Sequence, residues 1–197
     1  MHKKCFRDGY KEIATIYAGE YISAKLEQRI VLHTLLGSCI AACLYDEKNS
    51  IFGMNHFMLT CENSTDPSSK TAKYGVHAME LLINDMTSKG ASRKNLKAKV
   101  FGGASPLKSM KSCTVGGDNI NFITNFLKVE SIPLVSSSVG GEHGRVIYFT
   151  PEDYTVYVRK VISTSAEKLT KEQASKWNKA VKSYENKNLQ KSELWHK

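Results

Sequence analysis

The sequence predicts a mixed α/β (α+β) fold, and three observations carry that prediction. Residues 40–56 and 145–161 each read as two apolar strands about a polar turn, the pattern of a β-hairpin. Residues 73–89 repeat apolar side chains at helical spacing, and a shorter repeat of the same kind follows at 119–128. At 197 residues, 41% hydrophobic and 24% charged, the chain has room for one domain with a substantial core. The expected division is a domain over 1–162, with a loose arm or lead-in strand over 1–19, and a basic tail over 163–197.

Taken in order, Tyr21-Ile22-Ser23 and Arg29 to Leu36 are predicted strands, the second rich in β-branched and aliphatic residues. His33 and Thr34 are neighbours there, so only one of them can face a given site. The first hairpin turns about Asp46-Glu47-Lys48-Asn49. A polar loop runs from Phe57 to Ala72, of the kind that rims a site. In the helix that follows, Tyr74, Ala78, Leu81 and Leu82 form an apolar stripe that Met79, Ile83 and Met86 widen, and Gly90 suits its left-handed stop.

Leu96 to Phe101 reads as a buried strand ending at Gly102-Gly103, where absent side chains permit a tight turn or the close approach of another backbone. Asp118 is the expected cap of a helix over Asn119 to Lys128, with Ile120, Ile123 and Leu127 on one face. Ile132 to Ser136 follows as a strand. Gly140 to Gly144 is a glycine-rich turn that opens a strand rather than a helix, which argues against a phosphate-cradling loop. Arg145 to Phe149 and Tyr154 to Val161 then form the second hairpin about Thr150-Pro151-Glu152-Asp153. In the tail, Thr170 to Gln173 fits a capping box before Ala174, Trp177, Val181 and Tyr184 at helical spacing.

Composition narrows the function classes. The net charge is +9, but residues 161–197 hold 8 Lys and 4 Glu, and the remaining +5 is spread over 160 residues without a dense basic stripe. Specific nucleic-acid binding is therefore not expected. No apolar run approaches the roughly 18 residues of a membrane span, and the N-terminus carries charges where a signal peptide has its apolar core. A cytoplasmic chain that is not an integral membrane protein is the expectation. Five cysteines are then free thiols, and Cys39 with Cys43 lacks a second ligand pair at zinc-finger spacing, so no metal is expected.

Chemistry concentrates in residues 34–56, which place Thr34, Cys39 and His56 on what reads as a single hairpin. A cysteine nucleophile needs a base to form its thiolate and a third group to hold the base in the useful tautomer, and these three residues supply the types. Gly37 and Ser38 would let the chain turn so that backbone amides face a developing oxyanion. An apolar hairpin is also a good place simply to bury a cysteine, as is expected of Cys43, two positions further along the same face. His33 and His143 are alternative bases.

The segments LLGSCIAACLYD, GMNHFML, KYGVHAMELLI, AKVFGGA, VGGDNINFITNFL, IPLVSSSVGG and GRVIYF, in that order, resemble the CheD family of chemoreceptor glutamine deamidases over residues 20–160. The resemblance implies a sandwich of packed, largely antiparallel sheets with helices on one side, like the catalytic domain of deamidating toxins. It implies a cysteine hydrolase that converts selected glutamines of methyl-accepting chemotaxis receptors to glutamate through a thioester, without a cofactor. The family's Cys, His and Thr positions fall on Cys39, His56 and Thr34. A CheC-type phosphatase is the implied partner, and docking on it the alternative function. Two departures stand out: Ser138 where the family often has aspartate, and Glu152-Asp153-Tyr154 where it often has a glycine.

Overall fold

A computed structural model describes residues 9–59, 70–105 and 115–161, with backbone only for 70–72. In chain order the strands are β1 (Glu12–Thr15), β2 (Tyr21–Lys25), β3 (Ile30–Leu36), β4 (Ile40–Asp46), β5 (Ile51–Phe57), β6 (Lys97–Gly102), β7 (Leu134–Val139), β8 (Gly144–Phe149) and β9 (Val156–Val161). The helices are α1 (Lys70–Ser88) and α2 (Val115–Val129). The polar loop 60–69, the segment 106–114 and the tail from 162 onward, with its capping box and Trp177, lie outside the described residues, as do Cys5, Cys61 and Cys113.

Two sheets pack face to face. One has the order β1-β3-β8-β9 and the other β2-β5-β4-β6-β7. Only β1 with β3 and β6 with β7 run parallel. The sandwich of largely antiparallel sheets is thus observed.

Period-two alternation divides β4 between two cores. Ile40, Ala42 and Leu44 face the helices, where they meet Met79, Leu82, Ile83 and Met86 of α1 and Ile123 and Leu127 of α2. Cys39, Ala41, Cys43 and Tyr45 face the four-stranded sheet, among Leu32, Leu36, Ile147 and Phe149. Burying each large apolar chain here contributes roughly 1.5–3 kcal/mol. Both helices cover one face of the five-stranded sheet, as expected of the family.

Several boundaries differ from expectation, each for a physical reason. Of the lead-in strand or arm expected over 1–19, a strand is observed at 12–15, and it is not loose: it pairs in parallel with β3 in the register Glu12–Ile30 to Thr15–His33. The first turn is shifted by one, because Asp46 is buried and accepts the backbone N–H of Asn49 and of Ser92. α2 starts at Val115 rather than after Asp118, which sits in the first turn instead of capping it. A Gly-Gly pair reads as a break, yet Gly116 is needed inside that helix, since a Cβ there would lie 2.5 Å from the Gly103 carbonyl oxygen. β7 begins only after Pro133, because the Ile132 N–H closes the end of α2 on the Leu127 carbonyl.

Candidate active site

The β4–β5 hairpin positions two of the three candidate residues. Its register sets Ala41 opposite His56, and Ile40 opposite Phe57. Cys39 immediately precedes β4 in a bend and shares the inter-sheet face with Ala41, which makes it the diagonal neighbour of His56. Diagonal pairs have Cα atoms roughly 7–8 Å apart, within reach of long side chains. Both residues are buried.

Thr34 is not on this hairpin. It lies on β3, in the opposite sheet, and points across the interface. The reading of one hairpin carrying all three is overturned, because β3 leaves the first sheet at Leu36 and Gly37-Ser38-Cys39 carries the chain over to the second. The site is therefore built between the sheets.

Hydrogen bonding defines the imidazole. Thr34 Oγ1 lies 2.7 Å from the Ile16 carbonyl oxygen and 2.8 Å from His56 Nδ1. A hydroxyl has one proton, and a carbonyl can only accept, so Thr34 donates to Ile16 and must accept from His56. That places the imidazole proton on Nδ1. Nε2 is left as the acceptor, and among the described residues it is the buried side-chain nitrogen or oxygen without a hydrogen-bond partner. A buried polar atom in that state is uncommon and points to use by a reacting group.

The Ile16 carbonyl was invisible to sequence reasoning, since a backbone group has no side-chain signature. The segment carrying it crosses from β1 in one sheet to β2 in the other. It is held over the histidine by bonds from the His56 N–H to the Glu20 carbonyl and from the Gly19 N–H to the His56 carbonyl. The one available sequence signal was Gly19, which adopts a positive φ of 89°.

The loop that carries Cys39 is pinned by its carbonyls. Gly37 O accepts from the Ala104 N–H and Cys39 O from the Gly103 N–H, both at 2.8 Å. Close approach of backbones was expected at Gly102-Gly103 and is observed: a Cβ on Gly102 would lie 2.0 Å from the Cys39 carbonyl oxygen. The glycine-rich turn completes the layer, with the Gly140 N–H on Gly102 O and the Ser105 N–H on Gly141 O. Across a trans peptide the N–H of the next residue points opposite to the carbonyl. Pinning Gly37 O therefore turns the Ser38 N–H away from the glycine layer.

Electrostatics favours neutral partners at rest. Burial pushes the Cys39 thiol up to about 12, against a smaller opposing effect of its own backbone N–H. Burial also pushes His56 down to about 4, the Ile16 carbonyl opposing this weakly. The proton is thus on sulfur until a substrate is present.

The other candidates are placed elsewhere. His33 faces the outside of its sheet, where its ring meets Tyr148 at 4.6 Å and its Nδ1 lies 3.2 Å from Thr15 Oγ1. His143 is exposed in the glycine-rich turn. Cys43 is fully buried in the inter-sheet core. Ser38 is half-buried, with its hydroxyl near the Met58 sulfur. Among the described residues no three His, Cys, Asp or Glu side chains gather to hold a metal ion, and no helix is long and apolar enough to cross a membrane.

The two departures from the family pattern have local explanations. Arg145 is buried and donates to the Ser138 and Gly140 carbonyls and the Ser138 hydroxyl, so serine and backbone oxygens stand around a guanidinium that an aspartate could neutralise. Tyr154 adopts a φ of 55°, the left-handed conformation that glycine takes without strain. Its ring stacks on Tyr45 at 4.5 Å.

Comparison with known proteins gives a consistent set of relatives. Residues 58–160 match the model of a family described as CheD chemotactic sensory transduction. A Shewanella oneidensis protein named probable chemoreceptor glutamine deamidase CheD 2 is 47% identical over 156 residues, covering 75% of this chain and 76% of that one. Its namesake CheD 1 of Geobacter sulfurreducens is 43% identical, covering 79% and 81%. A Ruegeria protein of the same name is 48% identical, covering 68% and 70%.

Proposed function

The chain belongs to the CheD family, and on that premise we propose that it is a cysteine-dependent deamidase that converts selected glutamine side chains of chemotaxis receptors to glutamate. Cys39 is the nucleophile, His56 the base and Thr34 the group that orients it. The observation that carries this reading is the His56 ring, fixed through Nδ1 by Thr34 and left with a buried, unpaired Nε2 on the face it shares with Cys39.

The chemistry runs in two halves. As the substrate carboxamide enters, Nε2 takes the thiol proton and sulfur attacks the amide carbon, so the neutral pair becomes charged only when a carbonyl is there to receive the electrons. The tetrahedral oxyanion is held by backbone N–H groups of Ser38 and Cys39. His56 returns its proton to the nitrogen, the C–N bond breaks and ammonia leaves a γ-glutamyl thioester. Water, losing a proton to Nε2, then attacks the thioester, and glutamate and the Cys39 thiol are released. Thr34 accepts the Nδ1 hydrogen bond throughout, which stabilises the transient imidazolium.

Mass spectrometry of a receptor fragment incubated with the protein tests the reading. A gain of about one dalton at particular glutamines is expected, the amide-to-acid change of acyl transfer, and Cys39→Ala should abolish it. Deamidation that survives in Cys39→Ala would remove the nucleophile from the proposal. The same variant probes a docking role on a CheC-type phosphatase. If it no longer deamidates receptors yet still raises phosphatase activity, the two roles are separable.

A further inference from the structure

Asn119 is fully buried on the inner face of α2, in the row Gly116, Asn119, Ile123, Phe126 that packs toward the sheet. A carboxamide so placed must be paired, and it is. Oδ1 accepts the Leu59 N–H at 2.7 Å, while Nδ2 donates to the carbonyls of Ser38 at 3.2 Å and Val115 at 2.7 Å. The Val115 bond lies within the helix. The other two reach the segment that carries His56, three residues before Leu59, and the residue directly before Cys39.

Resting on the roles of Cys39 and His56 given above, we propose that Asn119 is a positioning residue for deamidation: by binding the Ser38 carbonyl it aims the Cys39 N–H at the oxyanion. The peptide between Ser38 and Cys39 is trans, so its carbonyl and N–H point in opposite directions, and whatever fixes one fixes the other. The glycine layer does not do this. Ala104 and Gly103 hold the carbonyls of Gly37 and Cys39, which orient the N–H groups of Ser38 and Ile40. Orientation of the Cys39 N–H falls to Asn119. Its second bond ties the same carboxamide to the strand extension beyond His56, so donor and base share one reference point.

The effect should be confined to the step in which the oxyanion forms. Asn119→Leu keeps the branched shape and removes the donor to Ser38 together with the acceptor for Leu59. Its kcat is expected to fall about 100-fold with KM for the receptor fragment nearly unchanged. Alkylation of Cys39 by iodoacetamide, a displacement that develops no oxyanion, should stay within about threefold of the parent rate. Should Asn119→Leu fail to fold, Asn119→Asp is read by its pH profile. An ionised carboxylate there would set a charged oxygen against the Ser38 and Val115 carbonyls, whereas the protonated form has one proton to share between them, so its kcat should rise as pH falls, where the parent is flat. A parental kcat in Asn119→Leu, an equal fall in kcat and alkylation, or a flat profile in Asn119→Asp overturns the proposal. Cys39→Ala in the same assay separates this from failure of the underlying reading: only if it still deamidates are the roles of Cys39 and His56 at fault.

Discussion

Thr34 and His56 meet across two sheets: the hydroxyl oxygen of one lies 2.8 Å from Nδ1 of the other, although their strands never pair. The bond takes its direction from the Ile16 carbonyl, which uses the only hydroxyl proton. Thr34→Val keeps the shape and removes the acceptor, leaving Nδ1 only the longer contact of 3.5 Å to the Ile16 carbonyl oxygen. We expect kcat to fall about 100-fold or more, and Thr34→Ser to recover most of it. A Thr34→Val enzyme with parental kcat would show that the hydroxyl does not orient the base.

Alkylation should reveal a thiol that is protonated at rest. With Cys39 pushed up to about 12, its thiolate fraction, and hence its rate with iodoacetamide, should grow about tenfold per pH unit through the neutral and mildly alkaline range. A plateau reached below neutrality would instead reveal a preformed thiolate–imidazolium pair. With His56 held down to about 4, kcat/KM for deamidation should show no inflection near the ordinary imidazole value of about 6.5.

The same histidine links stability to pH. Its folded value of about 4 lies below the unfolded 6.5, so between these the unfolded chain binds a proton that the native state refuses. The contribution is fully present above about 6.5 and is lost as pH falls toward 4, amounting to about 3 kcal/mol. Urea unfolding of the parent and of His56→Gln at both ends of this window should differ in slope with pH. Carboxylates such as Asp46 and Asp85, which burial pushes up but their hydrogen bonds, and Lys89 beside Asp85, bring below the usual range, act in the same direction in both proteins. Parallel pH profiles would mean that His56 is not buried in its neutral form.

Gly102→Ala should be among the costliest small changes. Its φ is 116°, and the new methyl would sit 2.0 Å from the Cys39 carbonyl oxygen. Backbone strain of about 1–3 kcal/mol and displacement of the loop that carries Cys39 follow together. A lowered Tm with loss of deamidation is expected. Gly141→Ala, with nothing within 4 Å of the added carbon but a φ of 76°, should show only the strain. Equal activity losses in the two variants would contradict the role given to the Gly102 contact.

Much of this arrangement was readable from side-chain pattern, because pattern records burial. The β4–β5 strands, the stripe of α1 and the close approach at Gly102-Gly103 all follow from alternation, helical spacing or a missing Cβ. What pattern could not convey was which strands would face each other. Thr34 looks like a hairpin neighbour of Cys39 in one dimension and belongs to the other sheet in three. The Ile16 carbonyl has no letter of its own. Asn119 did leave a trace, a polar residue within the otherwise small and apolar row 116–119–123–126, but a reading by apolar period alone takes Ile120 and passes over it. Tyr154 hid a left-handed turn because ring stacking on Tyr45 offsets a conformation usually given to glycine.

Because the Thr34–His56 bond bridges the sandwich, its formation marks a particular moment in folding. The β4–β5 hairpin closes over a four-residue turn, Glu47–Ser50, and can form early and locally. The bridge requires in addition that β3 be seated between β1 and β8, the latter more than a hundred residues further along the chain. Contacts of such separation are among the last to be rewarded. Catalytic competence should therefore return later in refolding than hairpin structure does, and the lag between them would time the docking of the two sheets.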